Sequence, residues 1–437
     1  MTSNGFFINS FFVLKSFVIF FEYWILILLR FNSINCFKYS IKKLGGLNIF
    51  YVKIFQSLST NVNILTEEQV NFLTNYTDNV PYTDDDKDIS FLETMMTISN
   101  KNNVHFTIDN INKKTYLPEP INSGMIALVY SGKLNHEKII IKVMRKDIEN
   151  KLILALDGIE FLINTIKVFP FIKKLNLDVV FGENKKNLLL QTNFINEKQN
   201  MQLMSKNFKN IDYIVIPTPY EDYTELNKNI IVMNYLDGNK INDLKQDDKD
   251  EYSILMAKFG IKSLLFDRFV HSDLHAGNIL FIKDNNNKLQ LGILDFGVME
   301  SLNKEEQYAF YKFFIKFSKI DNYKLLGDNF LDDFSEPKEV INKLSIYDNN
   351  TLREKLGLIA ASIFNKNKNI TAKDMYDVNA ILYSYNLRLS KTFCRIQVSQ
   401  IIGDSVSSNL NNKISYMENI KKVSNIMFAN EIENLIT

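Results

Sequence analysis

The chain has 437 residues, 46% of them hydrophobic and 13% aromatic, an ordinary folded composition that can support two or three domains. A formal charge of +1 with 23% charged residues carries no polybasic signal, so nucleic acid is not an implied partner. The 2 cysteines, Cys36 and Cys394, can build neither a disulfide framework nor a zinc site, and they point to a reducing compartment for the folded part.

The N-terminus is the first distinctive element. Phe6 to Leu29 is dense in aromatic and aliphatic residues but is interrupted by Lys15 and Glu22. The cleanest stretch, Ser16 to Leu29, falls short of the roughly 20 apolar residues that cross a bilayer. It lacks a good small-residue cleavage site, and the scarcity of arginine argues against an ordinary mitochondrial presequence. Three readings stay open: a membrane-spanning or membrane-embedded helix, a helix buried against the folded body, and a cleaved signal. The chain is expected to be membrane-associated or cytoplasmic, with residues 6–29 as the membrane contact.

A helix is expected over 62–79, with Thr66 as its cap before Glu67, Glu68 and Gln69. Asp84-Asp85-Asp86-Lys87-Asp88 reads as a surface loop, and Pro118 and Pro120 introduce a strand-rich region. Ile126 to Leu134 and Lys138 to Met144 read as strands around a turn at Asn135-His136. The second strand carries Ile139-Ile140-Ile141-Lys142. In kinases a lysine so placed holds the α/β-phosphates, although a lone strand-end lysine equally suits water.

Helices are expected at about 148–174 and 188–208. The second carries Glu197, which is either the partner of such a lysine or one solvated charge. Ile214-Val215-Ile216 and Ile230 to Met233 read as short buried strands. The latter runs into a hinge at Asn234-Tyr235-Leu236-Asp237-Gly238, and an amphipathic helix is expected over 250–269.

The stretch from Val270 to Asn278 then places Asp273 and Asn278 at the D-x-x-x-x-N spacing of a kinase catalytic loop, and Asp295-Phe296-Gly297 reads as a metal-binding D-F-G turn. Ile279 to Ile282 and Leu289 to Leu294 form a hairpin that brings the two motifs to neighbouring positions. Phosphoryl transfer uses one carboxylate to orient the attacking hydroxyl, with an Asn and a second carboxylate holding Mg²⁺. Either motif alone could be a polar turn; both in this order are far more specific. His271 and His275, two of only 4 histidines, lie inside the loop. From 301 onward the pattern is helical, with loops expected at Asp332-Asp333, Asn349-Asn350 and Lys366 to Asn369. There is no internal repeat.

These residues resemble the UbiB-type atypical kinases associated with coenzyme Q biosynthesis. The resemblance runs from about residue 44 to the end of the catalytic core, and more weakly through the C-terminal helices. The family's H-A-D-P-H-P-G-N loop is similar to His271-Ser272-Asp273-Leu274-His275-Ala276-Gly277-Asn278, with both prolines lost. Its alanine-rich loop after a proline matches Pro120 to Tyr130 in frame, with Asn122, Ser123 and Gly124 in place of the alanines. Its lysine strand is similar to Ile141-Lys142-Val143-Met144-Arg145. Its E-x-D motif is replaced by Gln191 and Asn193, while Glu197 falls in the position of the following glutamate. Its K-x-G-Q motif is similar to Lys53-Ile54-Phe55-Gln56, with Phe55 for glycine.

The resemblance implies an α+β, bilobal protein-kinase-like fold, with a small β-rich N-lobe, a helical C-lobe and a helical N-terminal extension. The expected boundaries are 1–35 for the hydrophobic segment, set by its composition, then 36–115 for the family-specific extension, 116–235 for the N-lobe with inserted helices and 236–437 for the C-lobe. It implies ATP and Mg²⁺ as cofactors. Lys142 would hold the α/β-phosphates and Glu197 would orient it. Asp273 would orient the nucleophile, and Asn278 and Asp295 would hold the metal. Asn122, Ser123, Gly124, Ala127, Met233 and Tyr235 would line the nucleotide. His271 would be a scaffold, and His275 is given no role.

Lys53, Gln56, Gln191 and Asn193 would belong to a gate that limits protein phosphorylation, leaving weak ATPase activity and work on a small-molecule, lipid or protein acceptor. Two alternatives are a nucleotide-binding regulatory pseudokinase and a small-molecule kinase of the aminoglycoside or choline type. The lysine-glutamine motif and the long insert before Glu197 weigh against the latter.

Overall fold

The computed structural model describes residues 3–436 apart from 30–31, 49–50, most of 53–79, most of 167–187, 366–371 and 412. The chain divides into two compact units, residues 1–199 with 218–235, and residues 200–217 with 236–437.

The first unit begins with helices α1 (Ser3–Leu28) and α2 (Ser33–Leu47) and continues through α3 (Phe91–Lys101). Strands β1 (Phe106–Ile108), β2 (Asn122–Ser123), β3 (Ala127–Leu134) and β4 (Glu137–Met144) follow. Next come α4 (Ile148–Ile166) and α5 (Phe194–Asn207), the latter continuing into the second unit, where β5 (Ile214–Val215) lies. Strand β6 (Ile230–Asn234) completes the first unit's antiparallel sheet, ordered β1-β3-β4-β6 with β2 beside β3. Alternation explains the layering. Ile139, Ile141 and Val143 of β4 are buried on one face, with Leu128, Tyr130, Ile230 and Val232 of the neighbouring strands. They meet Phe91, Met95 and Ile98 of α3, whose Phe91 ring stacks on Tyr130 at 4.9 Å. The expected β3–β4 hairpin forms, and Asn135 takes the positive φ of 54° that its tight turn needs.

Helix α1 packs on α2 and α4. Its Ser16 is buried and accepts a 2.5 Å hydrogen bond from the Tyr51 hydroxyl, and Glu22 pairs with Lys43 of α2 at 2.7 Å. The opposite face is exposed and apolar: Leu14, Phe17, Val18, Phe21, Trp24, Ile25 and Leu28. Their spacing of three, four and seven places them along one stripe. Among the described residues no helix is long and apolar enough to cross a membrane. The expected cap at Thr66 is present, with Gln69 N–H donating to Thr66 Oγ1 and Thr66 N–H donating to Gln69 Oε1. Most of the helix expected there lies outside the described residues.

The second unit carries α6 (Gln246–Ile261), β7 (Phe269–His271), β8 (Ile279–Lys283), β9 (Leu289–Ile293) and β10 (Met299–Ser301). Helices α7 (Lys304–Lys319), α8 (Ile346–Phe364), α9 (Ala372–Tyr383), α10 (Lys391–Leu410) and α11 (Tyr416–Ile436) follow. The hairpin expected between the two motifs is β8–β9, with β5 added parallel to β9. Phe310, Phe313 and Phe317 of α7 form an aromatic core with Phe330, Phe334, Phe364 and Phe393.

Several expected elements are redrawn. The helix expected over 188–208 breaks at 191–193, because Asn193 Oδ1 accepts the Asn196 N–H and starts α5 afresh. The helix expected over 250–269 runs instead from Gln246 to Ile261. It widens into a π turn at Lys262–Phe266, and Arg268 at φ 56° redirects the chain into β7. Asn349-Asn350 is not a loop but lies inside α8, which starts earlier because Ser345 caps it. Asp84–Asp86 is a 3₁₀ turn rather than a free surface loop, and its Asp86 is tied inward.

Candidate functional site

In the first unit the sheet pleat decides where Lys142 points. It alternates with the buried Ile141 and Val143, so it leaves the sheet on the face opposite the core, in register with Val129 and Ile231. There its ammonium meets Glu197 Oε1 at 2.6 Å and lies 5.3 Å from the centre of the Phe194 ring. Glu197 sits in the first turn of α5, where the helix dipole favours a carboxylate, and its N–H bonds back to the Asn193 carbonyl. The break at Gln191–Asn193 thus sets the start of the helix that delivers Glu197. Asn193 serves as its cap, and Gln191 lies in the turn before it.

Asn122 and Ser123 form β2 against Val129 and Leu128, and Gly124 N–H bonds to the Ala127 carbonyl to close a tight turn. The Ser123 hydroxyl donates to the Val80 carbonyl at 2.6 Å and accepts from Arg145 at 2.8 Å. Ala127 and Met233 are buried, while Tyr235 is exposed and bonds through its N–H to the Lys138 carbonyl. Lys53 and Gln56 lie outside the described residues.

Arg145 was given no role by the sequence reading. Its buried guanidinium reaches Gly124 O, Pro81 O, Val80 O, Ser123 Oγ and Asp86 Oδ2. It therefore fastens the turn before β3 to residues 80–86. Burial pushes the Asp86 carboxyl up, but the Thr83 N–H, Lys151 and Arg145 outweigh it and leave the group below the ordinary carboxylate value. A signal existed: Arg145 is the only arginine between Arg30 and Arg268 in a lysine-rich chain, and a planar fork can do what an ammonium cannot.

In the second unit the two motifs are joined through His271. Its Nδ1 accepts the Asp273 N–H at 3.2 Å, so Nε2 carries the proton and donates to the Asp295 carbonyl at 2.6 Å. Burial pulls its pKa below the ordinary value, which keeps the ring neutral in this scaffold. Asn278 Nδ2 donates to the Asp273 carbonyl at 2.9 Å, and Asp295 Oδ1 accepts the Gly297 N–H at 2.9 Å. The Leu294 N–H bonds to the Asn278 carbonyl, and Ser272 N–H to that of Val298, so loop and D-F-G turn are laced together. Phe296 is fully buried beside His271, and its carbonyl accepts from Asn200 Nδ2 at 2.9 Å. Asn200 had no sequence signal, since a helix-face asparagine normally faces water.

A family model described as an ABC1 atypical kinase-like domain matches residues 86–328, more than half of the chain. The chain belongs to the ABC1 atypical kinase-like family. AarF domain-containing kinase 1 of Drosophila melanogaster is 27% identical over 210 residues, 46% of this chain and 40% of the relative, so the chain spans about two fifths of the length of that curated relative. The resemblance to UbiB-type atypical kinases is thereby borne out, and so is the α+β, protein-kinase-like fold class. Among solved structures, the complex of Rv3197 with erythromycin from Mycobacterium tuberculosis is 14% identical with a TM-score of 0.45, covering 69% of this chain and 74% of that one. The Rio2 kinase ADP/Mg²⁺-phosphoaspartate complex from Chaetomium thermophilum is 13% identical with a TM-score of 0.30, covering 67% and 75%.

Proposed function

We propose that this ABC1-family chain binds Mg-ATP and turns it over slowly, as an atypical kinase or ATPase with little activity on generic proteins, and that it works at a membrane on a small, quinone-like or other lipid-pathway acceptor. The observation that carries the nucleotide half is the Lys142–Glu197 pair, a buried carboxylate fixing an ammonium at 2.6 Å on the face of β4 turned away from the core. A lysine held this way is pre-aimed at the α/β-phosphates rather than left to rotamer chance.

The metal half fits its residues. With Nδ2 of Asn278 committed to the Asp273 carbonyl, its Oδ1 is the remaining donor atom, and Asp295 supplies a carboxylate. Both are hard oxygen ligands of the kind Mg²⁺ takes alongside phosphate oxygens. When bound, the ion neutralises charge that builds on the phosphates. Asp273 orients the attacking hydroxyl or water and takes its proton.

The exposed stripe of α1 supports the membrane half. It combines a packed inner face with an outer face of large apolar residues, the pattern of a helix lying in a lipid interface rather than crossing it. Residues 1–53 also carry six Lys or Arg against one Glu, which favours an anionic lipid surface.

Thermal-shift titration with ATP, with and without Mg²⁺, tests the nucleotide reading. The wild type should be stabilised by Mg-ATP, Asp295→Asn should need more Mg²⁺, and Asp273→Asn should bind normally but release little phosphate. No shift of the wild type under any metal condition would overturn the reading.

A further inference from the structure

We infer that His275 is a positioning residue that caps the turn carrying Asn278 and so sets how tightly the catalytic loop takes a divalent cation. The inference rests on the Mg-ATP reading above and gives a role to the one loop histidine that reading leaves unused. Ala276–Asn278 is a single 3₁₀ turn. So short a turn has few hydrogen bonds of its own: the Asn278 N–H to the His275 carbonyl at 2.9 Å and the Ile279 N–H to the Ala276 carbonyl. The His275 side chain adds one more, its Nδ1 accepting the Gly277 N–H at 3.1 Å. Its φ of −82° and ψ of 166° are those of an N-cap residue, a place normally taken by Asn, Asp, Ser or Thr.

Gly277 is then gripped from both ends, since the Lys240 ammonium donates to its carbonyl at 2.9 Å. The next residue, Asn278, has its side-chain amide on the Asp273 carbonyl and its own carbonyl on the Leu294 N–H, one residue before Asp295. Loss of the imidazole acceptor leaves the Gly277 N–H without its cap and lets the Asn278 end of the turn relax away from the geometry a cation needs. Groups hydrogen-bonded directly to a metal ligand typically change metal affinity by about 10–100-fold; the imidazole holds the residue just before Asn278, so an effect at the lower end of that range is expected.

The test uses the full chain and a fluorescent ATP analogue, with binding followed as Mg²⁺ is titrated. His275→Ala should raise the Mg²⁺ needed for half-maximal binding by about tenfold, with metal-free nucleotide binding unchanged. His275→Asn, which restores a side-chain oxygen acceptor at the cap, should return the Mg²⁺ requirement close to wild type. Should the alanine variant fail to fold, His275→Leu and His275→Asn, similar in size and differing in the acceptor, give the same comparison. An unchanged Mg²⁺ requirement in His275→Ala, or an Asn variant as impaired as Leu, overturns the inference while leaving the Mg-ATP reading standing. A wild type that binds nucleotide without regard to Mg²⁺ overturns both.

Discussion

Lys142 and Glu197, 55 residues apart, form an ion pair in which the carboxylate side chain is 1% exposed and the lysine 12%. Desolvation makes such a pair sensitive to the loss of one partner, at a cost of about 3–5 kcal/mol. Glu197→Ala should therefore lower the melting temperature by several degrees and weaken ATP binding. Lys142→Met, which leaves the more deeply buried Glu197 carboxylate without its ammonium, should lower the melting temperature at least as much and also weaken ATP binding. A double-mutant cycle on stability should show clear non-additivity; additive effects would mean that the two side chains do not act as a unit.

Arg145 makes a second prediction. Five acceptors from residues 80–86 and 123–124 surround one buried guanidinium. Lysine keeps the charge but cannot reproduce the fork. Arg145→Lys should cost about 3 kcal/mol by chemical denaturation, within the range for a broken buried charge network. A loss below about 1 kcal/mol, the level of a surface pair, would show that the network contributes little.

Asp404 of α10 gives a pH dependence. Burial drives its carboxyl up to about 7, with the Tyr416 N–H as the opposing hydrogen bond. Among the described residues its Oδ1 has no hydrogen-bond partner. In the folded chain the group holds its proton where the unfolded chain has released it. Stability is therefore fully present below about pH 4 and is lost as pH rises towards 7, by up to about 4 kcal/mol. Asp404→Asn should remove that slope and stabilise the chain at pH 8. Equal pH dependence of denaturation midpoints in both proteins would refute the assignment.

The outer stripe of α1 predicts lipid binding that depends on its apolar side chains. Phe21, Trp24 and Leu28 are 67%, 63% and 76% exposed. Replacing all three with Asp leaves the Ser16–Tyr51 and Glu22–Lys43 contacts of the inner face intact. Wild-type protein should float with anionic vesicles, less with zwitterionic ones, and less again at high salt. The triple variant should stay in solution with the same melting temperature. Equal flotation of the two proteins would place the membrane contact elsewhere.

Much of the site was legible because its signals are local. The alternation of Ile139, Ile141 and Val143 with Lys142 fixes which face of β4 the lysine takes, and a strand pleat needs nothing distant to do so. The D-x-x-x-x-N and D-F-G motifs, with a hairpin between them, likewise formed as the spacing required. The cap at Thr66 could be read from four residues.

Tertiary structure decided the partners. Whether Glu197 is a solvated charge or the mate of Lys142 depends on where α5 begins, and that rests on Asn193, a residue that hydrophobic periodicity cannot tell from any other polar position. Asp86 belongs to an acidic run that looks solvated in sequence, yet it pairs with Arg145, 59 residues away. Asn349 and Asn350 looked like a loop because asparagine favours turns, but Ser345 had already capped α8 and the helix carried them along. The apolar segment at the N-terminus could be recognised from composition, while its division into a face packed on α2 and α4 and a face left exposed could not. Backbone periodicity is set by neighbours in the chain. The partner of a charge, and the side of a helix that meets solvent, are set by which elements pack together.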